Sequence, residues 1–159
     1  MTITKWNEKV SAILDKYCDE NIVKYANTEE GVYFTDKAGY SAYFLPKHHC
    51  YSVHGKSAME NPKSSSPMIA EIFRKASDNG KLAETVTSGK VDGKCARRFT
   101  LGDMEVFCYE KYLRVFPKNA DFYISAPTAP ILVSIWENGK ANILGIVMPF
   151  RIMDRCFSA

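Results

Sequence analysis

Asn138-Gly139, set between two apolar, β-branched runs at 131–136 and 141–148, is the feature that most narrows what this chain can become. A two-residue hairpin turn needs positive φ at both central positions, which asparagine and glycine adopt at least cost, and its twist matches that of the strands it joins. The back of the chain is therefore expected to be built on an antiparallel pair. Working upstream, Pro127 and Pro130 punctuate a connection, and 121–125 is a further strand. Tyr112, Leu113 and Phe116 mark a short helix at 110–116 that Pro117 terminates. A strand at 104–109 follows the turn Gly102-Asp103. The order is strand, helix, strand, strand, strand.

The front reads in nearly the same way. Trp6, Val10, Ile13, Leu14 and Tyr17 recur at three- and four-residue steps, which predicts an amphipathic helix over 5–20. Aromatic and β-branched runs at 22–26, 31–35 and 40–45 then predict a three-stranded meander stopped by Pro46, with 2–4 a candidate short strand ahead of the helix. Between the two ends, 46–66 reads as an irregular loop. Ser66-Pro67 reads as the start of a short helix carrying Ile69, Ile72, Phe73 and Ala76, with Asp78-Asn79-Gly80 as its C-terminal signal. Strands are expected at 81–87 and 94–101, around turns at Ser88-Gly89 and Asp92-Gly93. The whole is an α+β chain in which a βαβββ unit occurs twice, with 46–93 inserted between the copies.

Composition fits one globular domain over 1–159: 46% of residues are apolar and 25% charged. No apolar run reaches the ~20 residues of a membrane-spanning helix, and the first residues lack the apolar stretch of a secretory leader. The expected location is cytoplasmic. Five cysteines (Cys18, Cys50, Cys95, Cys108, Cys156), odd in number and without a Cys-x-x-Cys pair, read as reduced thiols rather than a disulfide framework. The net charge of +3 with a pI near 8.5 allows nucleic acid without requiring it.

Residues 104–152 and, as topology, 5–45 resemble one domain of the bacterial DNA sliding clamps, the ring-shaped processivity factors of replicative polymerases. Tyr109-Glu-Lys-Tyr-Leu-Arg114 is similar to the Asn-x-x-Tyr-Leu opening the second helix of the clamp's last domain. Ala126-Pro-Thr-Ala-Pro-Ile-Leu-Val133 is similar to its Ser-Pro-Val-Leu-Ile strand entry, and Ile146-Val-Met-Pro-Phe-Arg-Ile152 to the Val-Met-Pro-Met-Arg-Leu at its end. The resemblance implies a DNA-clamp-like fold in a bacterial or phage-like protein without enzymatic activity or cofactor. It further implies association with double-stranded DNA, with peptide motifs of replication proteins, and with further copies of the chain as a homo-oligomer. Bacterial clamps carry three such domains per chain and this chain carries one. The extension 153–159 runs past the matching end and is placed to cover the peptide pocket.

Clamps present cations from their helices to DNA phosphates, which bind without reading sequence. Residues 94–118 are the basic stretch here, with Lys94, Arg97, Arg98, Lys111, Arg114 and Lys118 against Asp103, Glu105 and Glu110. These six cations are the candidate DNA-binding residues. Val147, Met148, Pro149, Phe150 and Arg151 are, by resemblance, the candidate peptide-binding residues; a methionine beside an aromatic and a rigid proline suits an adaptable groove. His48, His49, Cys50 and His54 are the one local cluster of metal-ligand types, lacking a second ligand pair for a structural zinc. Asp78 with Asp92-Gly93-Lys94 echoes metal-dependent nucleases, but both acids sit in turn-like segments. Tyr25, Tyr33, Tyr40, Tyr43 and Phe44 are either core residues or a stacking platform for single strands. No phosphate-binding loop or nucleophile elbow is present in the sequence. The readings left beside a clamp-like module are a monomeric protein-binding module without DNA and a small metal-dependent enzyme.

Overall fold

The computed structural model describes residues 1–19, 24–36, 38–51, 56–57, 60, 63–152 and 155–159. It opens with α1 (Ile3–Asp19), then β1 (Tyr25–Asn27), β2 (Gly31–Thr35), β3 (Ser41–Pro46) and a single 3₁₀ turn, Lys47–His49. Next come α2 (Met68–Asn79), β4 (Lys81–Leu82), β5 (Thr85–Val91), β6 (Lys94–Leu101) and β7 (Met104–Tyr109). The one-turn helix α3 (Glu110–Leu113), β8 (Asp121–Ile124), β9 (Ile131–Glu137), β10 (Lys140–Val147) and β11 (Phe157–Ser158) complete it.

The strands form two antiparallel sheets. Sheet A has seven strands in the order β1-β2-β3-β10-β9-β8-β4, and sheet B has four in the order β11-β5-β6-β7. The Asn138-Gly139 hairpin forms as expected, with φ of 56° and 74° at its two central residues. Asp92-Gly93 repeats the device between β5 and β6, with φ of 51° and 77°. In sheet A the front meander β1-β2-β3 meets the back meander β10-β9-β8 through their last strands, Tyr43 lying opposite Gly145 and Ser41 opposite Val147.

Sheet A is covered on both sides. One face meets α1, α3 and the inner face of sheet B. Trp6, Val10 and Leu14 of α1 join Val32, Phe34, Leu45, Ile131, Val133 and Ile135 of sheet A with Phe99, Val106 and Cys108 of sheet B. Phe116, just beyond α3, stacks on Trp6 with ring centroids 5.3 Å apart. The other face is covered by α2, whose Ile69, Phe73 and Ala76 pack on Ala26, Tyr33, Ala42, Leu132 and Ile146. These sets alternate along β2 and β3, as the two-residue period of a strand requires when both faces are buried.

Local expectations were met unevenly. Residues 2–4 do not form a strand: Thr2 caps α1, its Oγ1 accepting from the Lys5 N–H at 3.2 Å, so the front unit begins with the helix. Gly80 ends α2 without a left-handed turn, at φ −71° and ψ 138°; a side chain there would meet the Ala76 carbonyl. The expected strand at 81–87 is divided, with β4 pairing β8 in sheet A and β5 entering sheet B. Ser88-Gly89 is not a turn but lies inside β5. A Cβ on Gly89 would fall 2.5 Å from the ring of Phe157, so the glycine leaves room for the returning C-terminal segment. No helix among the described residues is long and apolar enough to cross a membrane.

Candidate nucleic-acid interface

The six candidate cations fall into two groups, divided by the strand alternation of β6. Cross-strand pairing puts Arg97 opposite Cys108, facing inward, and Arg98 opposite Phe107, facing outward. Arg97 is committed within the fold: its Nε and Nη2 donate to the two carboxylate oxygens of Glu110 at 2.7 and 2.6 Å. A bidentate pair of this kind is directional and charge-assisted, and both side chains are largely buried. The Arg98 guanidinium carbon stands 5.2 Å from the centroid of the Phe157 ring. Arg97 is thus committed to Glu110, whereas Arg98 stands against the Phe157 ring without a carboxylate partner among the described residues.

Lys94, Lys111 and Arg114 behave differently. All three are exposed, and together with Cys95 and Tyr109 they line a hollow of about 330 Å³ at the end of sheet B. The Lys94 and Lys111 ammonium groups stand 5.7 and 5.9 Å from the Tyr109 ring centroid, within the range of cation–π attraction. The neighbouring carboxylates are engaged elsewhere, Glu110 by Arg97 and Asp92 by Arg155 at 3.4 Å. Among the described residues, none of the three cations of the hollow pairs with a carboxylate. Lys118 is exposed beyond α3 and does not line the hollow.

Tyr109 also belongs to a row of rings. Phe150 stacks on it at 4.0 Å and 13°, and Tyr112 meets it edge-on at 6.4 Å. Tyr40, from the front half, stacks on Tyr112 at 5.0 Å. The row is partly open to solvent, with Tyr40 49% exposed. The other aromatics of the front meander behave as packing: Tyr33 and Tyr43 are buried, and Phe44 stacks on Tyr33 at 4.6 Å. Burial, with Glu30 adding a smaller effect, pushes the Tyr33 phenol up to about 12; burial raises that of Tyr43 as well.

The candidate peptide-binding residues are split by depth. Val147 is fully buried at the end of β10, while Met148 and Arg151 are exposed. Phe150 is half-buried; its N–H donates to the Phe107 carbonyl at 2.9 Å, so this segment runs beside β7. A hollow of about 410 Å³ lies there, lined by Glu105, Phe107, Pro127, Phe150, Arg151 and Ile152. Beyond it β11 pairs with the far edge of sheet B, Phe157 opposite Val91, and the Phe157 ring packs 5.6 Å from Phe107. The C-terminal segment thus lies across the outer face of sheet B.

The described members of the metal-ligand cluster do not converge. His48 and His49 are exposed, whereas Cys50 turns into the main core, and His54 lies outside the described residues. Asp78 belongs to α2 and pairs with Arg74, while Asp92 lies in the hairpin of sheet B. No three metal-ligating side chains come together among the described residues. A hollow of about 650 Å³ lies between the start of α1, the 3₁₀ turn and the β9–β10 hairpin. It carries Glu30, Glu137, Lys47, Lys140 and the two histidines, a mixture of both signs of charge. Of its residues the sequence singled out only His48 and His49, as metal-ligand types.

No protein-family model matches the chain, and no curated protein and no solved structure matches it.

Proposed function

We propose that this chain is a non-catalytic, DNA-associated binding module of the sliding-clamp type, taking DNA phosphates on Lys94, Lys111 and Arg114 and a partner peptide beside Phe150. The observation that carries the reading is the order of sheet A. Two three-stranded meanders, each following a helix, join through β3 and β10, and α1 and α3 lie on the same side of the sheet. That is the arrangement expected of a unit used twice, and it agrees with the resemblance of 104–152 to a clamp's last domain. In the front copy residues 2–4 do not form the expected strand, Ile3 already belonging to α1.

Function in this reading is electrostatic and steric rather than chemical. Three cations on one surface, without carboxylate partners among the described residues, neutralise phosphates regardless of base sequence. The α1 helix contributes little, because Lys5, Lys9 and Lys16 are balanced by Glu8, Asp15 and Asp19, and Lys9 is spent on the Val115 carbonyl at 2.6 Å. The phosphate-binding surface therefore sits at the end of sheet B and around α3.

The test combines light scattering behind a sizing column with a DNA-binding titration at two salt concentrations. A closed assembly with salt-sensitive binding to duplex DNA is the expected outcome. A monomer at all concentrations that ignores duplex DNA would overturn the clamp reading and leave a protein-binding module.

A further inference from the structure

We infer that the Tyr109 hollow and the ring row leading from it to Tyr40 form a site for single-stranded nucleic acid. The inference rests on the DNA-associated reading above but not on ring assembly or duplex binding. A duplex presents a cylinder of phosphates with its bases stacked inside, so it has use for cations and none for exposed rings. A single strand has both unstacked bases and phosphates, and proteins that hold it interleave aromatic side chains with a cationic track. This surface is interleaved in that way. Lys111 stands 5.9 Å from the Tyr109 centroid and 5.0 Å from that of Tyr112, so one cation serves two successive rings. Lys94 and Arg114 border the same hollow.

Three further observations favour an extended ligand over a lone anion. The hollow has an aromatic wall, Tyr109, which an isolated phosphate would not use. The row continues to Tyr40 through Tyr112, giving a second place for a base outside the hollow. Two carboxylates of this region, Glu110 and Asp92, each have an arginine partner, Arg97 and Arg155. The row also joins the two halves of the chain, since Tyr40 comes from the front meander and Tyr109 and Tyr112 from the back.

Fluorescence anisotropy with labelled oligo-dT and oligo-rU of about 20 nucleotides, beside a duplex of equal length, tests the inference. The expected result is that at least one single strand binds about tenfold or more tightly than the duplex, and more weakly as salt rises. The ratio of dT to rU affinity then tells whether DNA or RNA is the natural strand. Tyr40→Ala should weaken the single strand about fivefold or more and leave duplex binding unchanged. Lys111→Glu should weaken both. Because Tyr40 and Lys111 are exposed, these variants should keep the parent melting temperature, which a thermal scan verifies. Duplex binding as tight as single-strand binding would overturn the inference while leaving the clamp reading in place. Single-strand affinity unmoved by Tyr40→Ala and Lys111→Glu would overturn it as well. A monomer that holds single strands would sustain the inference and overturn the clamp.

Discussion

The two sheets show what strands do when they are covered twice and when they are covered once. Sheet A has α1 and sheet B on one face and α2 on the other, and most of its side chains in both directions are apolar and buried. Sheet B gives Phe99, Val106 and Cys108 to the core, while its outer face carries Arg98, Phe107 and Tyr109 beneath the chain's own C-terminal segment. The first arrangement stabilises. The second leaves rings and cations within reach of solvent, which is where binding can occur.

The sharpest way to break this contrast is to truncate one aromatic on each side. Phe34 is fully buried in β2, against Tyr17 and Tyr43. Phe34→Ala should cost about 3–5 kcal/mol, since a large cavity opens in a core that relaxes only in part. Phe157→Ala, on the outer face of sheet B, should cost less, about 1–2 kcal/mol, because the ring is only partly buried in the folded state. Urea unfolding of both variants decides. Equal losses would mean that the C-terminal segment is as much core as β2 is.

What could be read in advance follows the same division. The Asn138-Gly139 hairpin, the stripe of α1 and the strands of sheet A were legible because local turn chemistry and side-chain period agree there with burial. Sheet B was harder, because its pattern answers to distant contacts. Gly89 reads as a turn residue, yet it lies in mid-strand to make room for Phe157, 68 positions later. Arg97 and Arg98 are adjacent in sequence and point to opposite faces, so a count of basic residues joined a buried ion pair to an outward side chain. Cys50 beside His48 and His49 suggested a cluster that a single turn of backbone pulls apart. The Tyr109 hollow was half visible, its cations singled out and its ring used only as part of a motif. Pairing Tyr109 with Tyr40 needed the β3–β10 junction, which no local pattern encodes.

Alkaline pH offers the next test of sheet A. Tyr33 and Tyr43 are held as neutral phenols, with folded pKa values raised above the ordinary value of 10 chiefly by burial. The folded state therefore keeps protons that the unfolded chain gives up. Their stabilising contribution is fully present below about pH 10 and is lost as pH rises through 10 toward 12. Melting temperature should be level from about pH 8 to 9.5 and then fall. Tyr33→Phe, which removes one ionisable group, should flatten that fall; an unchanged slope would assign it to other groups.

A smaller effect separates two ion pairs of similar appearance. Arg97 and Glu110 are largely buried at the rim of sheet B, whereas Arg74 with Glu71 and Asp78 lies out in solvent on α2. Arg97→Ala should cost about 1–3 kcal/mol, because Glu110 would be left partly buried without its two donors. Arg74→Ala should leave stability unchanged, since solvent and side-chain entropy cancel most of an exposed pair's attraction. A double-mutant cycle on Arg97 and Glu110 measures the coupling directly. Coupling no larger than that at Arg74 would remove the reason for excluding Arg97 from the phosphate-binding set.

The smallest perturbation uses two thiols of sheet B, one deep in the core and one exposed near the end of the sheet, as reporters. Cys108 is fully buried, and burial, with Glu110 adding to it, pushes its thiol up to about 12. Cys95, on the neighbouring strand, is exposed and lines the Tyr109 hollow. The thiolate is the reacting species, so a thiol reagent near pH 8 should modify Cys95 and exposed Cys156 promptly and Cys108 only on unfolding. Prompt modification of Cys108 would mean that the end of β10 opens, since the Cys108 sulfur donates to the Met148 carbonyl there at 3.8 Å. Adding a single-stranded oligonucleotide sharpens the comparison. A strand seated against Tyr109 should shield Cys95, which lines the hollow, more than Cys156, which follows Arg155 at its edge. Equal slowing of both would point to coating of the whole outer face, and equal indifference would empty the hollow of its proposed occupant.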